Sequence, residues 1–242
     1  MNRMHQLASV AALQWVLRRA NICIIVFFAL AYVVTQIFRH QYGMMLGGTY
    51  GLVQLFDVRV EQNLPTAYSA LLLLVASAVL FLIAQTYRSN GDAVYRKWGI
   101  LALLFLFLAI DEAAVLHERW SFVIWHFKDT TGVLHDAWVI VYSVLLIGFA
   151  AYFLPFVRAL PSPTRIRFII AGAVFVGAAL GMELVQGFYE SNYGSWKDAR
   201  YAILAGIEEI MEMGAIAYFI DAALRHLNVH LDVHSIQASA AN

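Results

Sequence analysis

The chain has 242 residues and a formal net charge of zero; 62% of it is hydrophobic, 13% is charged, and its mean hydropathy is +0.69. A soluble globular domain carries about 45–50% apolar and about 25% charged residues, so this balance excludes one and points to an integral membrane protein. Zero net charge argues against a nucleic-acid partner, and the single cysteine, Cys23, excludes an intrachain disulfide.

Six apolar stretches of about 18–22 residues are each long enough to cross a bilayer as a helix. The fold expected is therefore all-α, a polytopic bundle of six transmembrane helices forming one domain over 1–242. Residues 1–19, with Arg3, Arg18 and Arg19, read as an amphipathic lead-in. The first span covers 20–38 and is retained, because no small-residue cleavage signature closes it. The stretch from Arg39 to Pro65, with Gly47, Gly48 and Gly51, is too interrupted to span and is expected along the interface as a lid or partner surface. Pro65 and Thr66 suit a helix start, and the second span covers 66–87.

After a basic loop (Arg88, Arg96, Lys97) the third span, 98–118, ends in Asp111, Glu112, His117 and Glu118. Residues 119–133 read as an aromatic connection at the interface. The fourth span, 134–156, opens with His135 and Asp136; the fifth, 168–187, ends near Glu183, Gln186 and Glu190. The sixth, 202–224, carries Glu208, Glu209 and Glu212. From Arg225 the chain reads as a solvated polar tail, in which His226, His230 and His234 recur every four residues.

Lysine and arginine set orientation. Arg3, Arg18, Arg19, Arg88, Arg96, Lys97, Arg158, Arg165, Arg167 and Arg225 fall on one side. Arg39, Arg59, Arg119, Lys128, Lys197 and Arg200 fall on the other. Both termini are thus expected in the cytoplasm. Of the acids, only Asp92, Asp221 and Asp232 then lie on the cytoplasmic side.

A carboxylate at bilayer depth costs roughly 2.5–3.5 kcal/mol unless it is partnered. At 100° per residue Asp111 and Glu118, seven apart, share a helical face, as do Glu183, Gln186 and Glu190; Glu208 and Glu212 stand one turn apart. Polar groups at similar depth on several helices imply one shared, outward-facing cavity.

Carboxylates and imidazoles from several helices are how helical bundles hold zinc, iron or manganese. His117, Glu118, His135, Glu183, Glu208 and Glu212 are the expected ligands of a divalent ion. Glu112 and Asp111 are placed as acid–base groups, and Ser69 as a hydroxyl near the metal. No HExxH or CxxC motif is present. The expected activity is hydrolytic or redox chemistry on a lipid-soluble or periplasmic substrate. The alternatives are a proton or cation pathway, and a non-catalytic subunit of a membrane complex or homo-oligomer.

Asn63-Leu64-Pro65-Thr66-Ala67-Tyr68-Ser69 before an apolar span, followed by Asp111-Glu112 and His117-Glu118 at the end of the next, resembles a group of small bacterial multi-pass membrane proteins without an assigned function. The expected location is accordingly a bacterial inner membrane, with the cavity facing the periplasm. Ser69, Asp111 and His117 are also similar to the set in ceramidase and adiponectin-receptor type membrane hydrolases, a resemblance that implies zinc. Those proteins have seven spans and a paired His-x-x-x-His in the last; here Glu208 and Glu212 stand at that spacing.

Overall fold

The computed structural model describes residues 3–42, 52–127, 130–194 and 199–240, with side chains described over 10–39, 53–127, 130–194 and 199–231. Among these residues there are helices and turns and no strand. The helices are α1 (Arg3–Tyr42), α2 (Leu52–Phe56), α3 (Leu64–Ser89), α4 (Tyr95–Ala114), α5 (Leu116–Phe127), α6 (Trp138–Ala159), α7 (Ser162–Val176), α8 (Glu183–Tyr193) and α9 (Ala199–Ala240). A 3-10 turn, Gly132–Leu134, precedes α6, and a π-helical stretch, Gly177–Met182, joins α7 to α8.

Four segments are long and apolar enough to cross a membrane: Val10–Arg39, Leu64–Ser89, Trp138–Ala159 and Ser162–Tyr193. The bent pair α4 and α5 makes a fifth if taken as one span. The stretch 202–224 lies inside α9, whose 42 residues extend about 63 Å at 1.5 Å per residue. Glu208, Glu209 and Glu212 interrupt its apolar run, so composition alone does not mark it as a span.

Two helices overrun their expected ends because nothing in the sequence stops them. No glycine or proline occurs before Gly43, so the lead-in and first span fuse into α1; none follows Gly214, so α9 continues to Ala240. The region read as a solvated tail therefore begins in the core. His226 is buried, its Nε2 3.1 Å from the Tyr87 hydroxyl and its Nδ1 3.3 Å from Thr164 Oγ1, with its ring stacked on Trp98.

The third span departs most from expectation. Helix α4 stops at Ala114, Val115 takes a left-handed conformation (φ 53°, ψ 45°), and α5 leaves at 73° to α4. The stretch expected as a loop from 119 is helical to Phe127. A β-branched residue in the left-handed region costs about 1–3 kcal/mol, and such strain persists only where surrounding contacts hold it.

Helices α3 and α4 form an antiparallel hairpin, and α9 lies against α1, α3 and α7. Leu80, Ile83, Trp98, Met213, Ile220 and Leu224 are fully buried between them. Helix α1 fits on α9 where Tyr32 donates to the Ala202 carbonyl at 2.7 Å and its ring occupies the space over Gly206. A β-carbon at Gly206 would lie 2.6 Å from that ring. Helix α6 packs against α5 and turns Val144 and Ile147 outward, 66% and 69% exposed. An apolar exterior of this kind is what a helix facing lipid presents.

Only part of the interrupted 40–65 stretch is described, and that part is anchored. Asp57, 1% exposed, accepts from Arg59 at 2.6 and 2.8 Å and from Arg39 at 2.9 Å. Arg39 and Arg59, read as loop charges, are thus ion-paired. Asn63 caps α3 by accepting from the Thr66 N–H at 3.1 Å, and its amide donates to the carbonyls of Asp57 and Val60. Residues 43–51, including Gly47, Gly48 and Gly51, lie outside the described residues.

Breaking a buried ion pair by removing one partner costs about 3–5 kcal/mol. Asp57→Ala is expected to destabilise the protein by that order, measured as thermal unfolding in detergent. A change below about 0.5 kcal/mol, the scale of an ordinary surface substitution, would show that this cluster does not hold α1 to α3.

Candidate metal centre

One cavity of about 1190 Å³ runs between α4, α5, α6, α7, α8 and α9. One end is lined by nine carboxylates: Glu61, Asp111, Glu112, Glu118, Asp136, Glu183, Glu208, Glu209 and Glu212. Arg59 and His117 are the basic residues at that end. The middle is walled by leucine, phenylalanine and alanine, and the opposite end by Arg158 and Arg165. The expected shared cavity is therefore present, but its apolar part continues far beyond the acids.

The break at Val115 assembles the carboxylate end. On a continuous helix Asp111 and His117, six residues apart, would point about 120° away from each other. The left-handed turn instead sets His117 Nδ1 3.6 Å from Asp111 Oδ2. It also removes the single face that Asp111 and Glu118 were expected to share. Asp111, 5% exposed, accepts from the Tyr142 hydroxyl at 2.9 Å. The other ring nitrogen of His117, Nε2, lies 3.9 Å from Glu61 Oε1. Glu61, His117 and Glu118 each offer a ligand atom within 4.8 Å of the others, and no other such trio occurs among the described residues.

Trp138 ties this group to α8. Its backbone N–H donates to Ser121 Oγ on α5, and its indole N–H donates to Glu183 at 3.2 Å. Its ring packs on His117 and Tyr142. On the opposite wall the Gln186 amide, buried on α8, donates to Glu208 of α9. Glu209 and Glu212 complete that wall, as the one-turn spacing required. At the rim, burial pushes the Glu61 carboxyl up from its ordinary range, and neighbouring His117 opposes the shift. Burial likewise raises Asp136, against the pull of His135.

Of the expected ligands, His117 and Glu118 come together, joined by Glu61 in place of a second histidine. Glu183, Glu208 and Glu212 line the same cavity outside this trio. His135 does not line it: its Nδ1 lies 3.4 Å from Asp136 and its β-carbon packs over Gly187. Ser69 is buried on α3 outside the cavity, its hydroxyl without a hydrogen-bond partner. The Ser–Asp–His set implied by the hydrolase resemblance is therefore not assembled, because Ser69 faces helix packing. Glu112 lines the cavity as expected, while Asp111 is held by His117 and Tyr142 and serves to position them.

Glu61, Tyr142 and Trp138 are the residues that sequence reasoning missed. Glu61 stands two residues before the Asn63 cap in the interrupted stretch, where no periodicity ties it to the acids of the later spans. Tyr142 lies within a largely apolar span, and nothing in its spacing shows that it reaches Asp111.

Glu212 stands four residues from Glu208 and three from Glu209 on α9, and like charges at that spacing, about 5–6 Å, repel by roughly 3 kcal/mol at an effective dielectric of 20. Glu208→Gln, Glu209→Gln and Glu212→Gln combined should therefore raise stability in chelator-treated protein, by several degrees of melting temperature at roughly 2–4 °C per kcal/mol. A lower melting temperature would show instead that these carboxylates hold the helices together.

Neither a curated protein nor a solved structure matches the chain significantly. A family model does match residues 23–227, a span from within α1 to Leu227 of α9 that encloses every residue lining the cavity. The chain belongs to the family described as a domain of unknown function, DUF8692.

Proposed function

We propose that this protein is a six-span inner-membrane protein of bacteria, both termini cytoplasmic, that binds a divalent metal ion at the outward carboxylate end of its cavity and uses it on a lipid-soluble substrate. The six-span reading takes α9 as the sixth span. Its packing against α1, α3 and α7 lets its glutamates face the cavity rather than lipid. Orientation follows the lysine and arginine distribution.

The observation that carries the metal reading is the environment of His117. Nε2 is directed at Glu61 across 3.9 Å, about twice a metal–ligand bond of roughly 2.0–2.1 Å, while Nδ1 faces Asp111. A histidine whose second nitrogen is held by a carboxylate is the usual arrangement around a bound metal. Here Tyr142 in turn fixes that carboxylate. Nine carboxylates against one arginine and one histidine also require cations, and Arg59 is already ion-paired with Asp57.

Glu61, His117 and Glu118 would hold the ion, with Glu112, Glu183, Glu208, Glu209 and Glu212 within the same cavity for a second ion or for protons. Hard oxygen donors with one imidazole suit zinc, manganese or iron. A bound ion would supply Lewis-acid chemistry if zinc and electron transfer if iron or manganese. The chain itself supplies Glu112 as a carboxylate beside the centre to take or give a proton.

Elemental analysis of detergent-purified protein after loading with zinc, manganese or iron(II) tests this. Wild type and Ser69→Ala should hold stoichiometric metal, and His117→Ala and Glu61→Ala should lose at least ten-fold in affinity. Chelation should lower the melting temperature of wild type, since an ion at 100 times its Kd stabilises by about 2.7 kcal/mol. Wild type that takes up none of the three ions would overturn the reading.

A further inference from the structure

We infer that the cavity takes a single long-chain amphiphile with an anionic head, the head between Arg158 and Arg165 and the chain running to the carboxylate end. For what the chain meets there, this rests on the metal reading; the binding itself does not.

Three observations carry it. First, the end opposite the acids is cationic, with Arg165 half-buried and Arg158 exposed. Arg165 Nη1 donates to the Arg158 carbonyl at 2.9 Å and Nη2 to Ser162 Oγ at 3.0 Å, which fixes its guanidinium at the cavity wall. Neither arginine has a carboxylate partner among the described residues. A guanidinium left without an anion is matched by a carboxylate or phosphate, for which its planar fork has the geometry.

Second, the wall between the charged ends offers no polar group. Along α6 the lining residues between Tyr142 and Arg158 are all apolar. A polar or multiply charged ligand would be desolvated over that whole length, whereas a hydrocarbon chain would not. Third, the length fits a chain. Tyr142 and Arg158 are sixteen residues apart, about 24 Å along the helix. An extended chain advances about 3.6 Å per three-bond residue, roughly 1.2 Å per bond, so the distance accommodates about 20 bonds, the scale of a long-chain acid.

The polarity of the cavity also sets the direction. A carboxylate or phosphate head is repelled by nine acids and attracted by two arginines, so the far end of the chain, not the head, lies by Glu112 and Glu212. The substrate class is then a long-chain acid, or a single-chain phosphate monoester, presented tail first to the centre.

Binding to purified protein in a nonionic detergent tests this with three probes, oleate, methyl oleate and octanoate, read by native mass spectrometry and titration. Oleate should bind one per protein, and the ester and the short acid at least ten-fold more weakly. A single-chain phosphate monoester run beside them assigns the head chemistry. Arg158→Gln with Arg165→Gln should lose at least ten-fold for oleate and little for the ester. Gly172→Trp should block both long-chain probes, since Gly172 lines the cavity and a β-carbon there meets nothing within 4 Å.

Equal affinity for oleate and its ester, or unchanged binding in Gly172→Trp, would overturn the inference. Metal content is measured on the same samples. Oleate binding in wild type that holds no metal overturns the metal reading alone, and metal without oleate binding overturns this one alone.

Discussion

Charge that cannot reach bulk water has to be balanced where it stands. Nine carboxylates, all but the exposed Glu118 at least partly buried, line one end of a cavity otherwise walled by leucine and phenylalanine and put that requirement at the centre of this structure. Glu208, Glu209 and Glu212 of α9 and Trp138 of α6 line the same open volume. The helices around the cavity are arranged so that each acid meets either a donor or another acid across an open volume.

The donors provided are mostly neutral. Tyr142 serves Asp111, Trp138 serves Glu183, and Gln186 serves Glu208. Such groups satisfy lone pairs and fix geometry but remove no charge. Contrast Asp57, which has two arginines and is closed off as a structural anchor. The same chain thus treats carboxylates in two ways. Where it needs only rigidity it supplies fixed cations, and around the open volume it supplies mostly neutral donors.

Most of the fold was legible because hydropathy reads segment length directly. The long apolar helices and the inward placement of Glu208, Glu209 and Glu212 follow from composition and spacing. The site was legible as a cavity but not as a centre. His117 reaches Asp111 only through the left-handed turn at Val115, and valine is the last residue from which such a turn would be expected. Glu61 arrives from a turn fixed by Asp57 and Asn63, contacts that no periodicity encodes. Ser69 and His135 failed for the opposite reason: both have the right chemistry at a plausible depth, and packing turned each away from the space. His226 was read as solvated because the residues after it are polar, whereas Tyr87, Trp98 and Thr164 enclose it from other helices.

Depth finally decides what kind of molecule can meet this centre. Glu212 lies thirteen residues from both Ala199 and Arg225, about 20 Å along α9 in either direction. With α9 taken as the sixth span, as proposed, that position would lie at chain depth in a hydrocarbon core about 30 Å thick. A water-soluble substrate would have to leave water to reach Glu212, with the desolvation of every polar atom it carries. On that placement a lipid chain would already be at the same depth, beside the apolar wall from Tyr142 to Arg158. The carboxylates bring the polarity, and the neighbouring wall admits only what lacks it. On the reading proposed above, a centre placed this way would meet a part of a molecule with no polar group of its own, so recognition would come from elsewhere along that molecule, and in this cavity the other charged position is the pair of arginines at the opposite end.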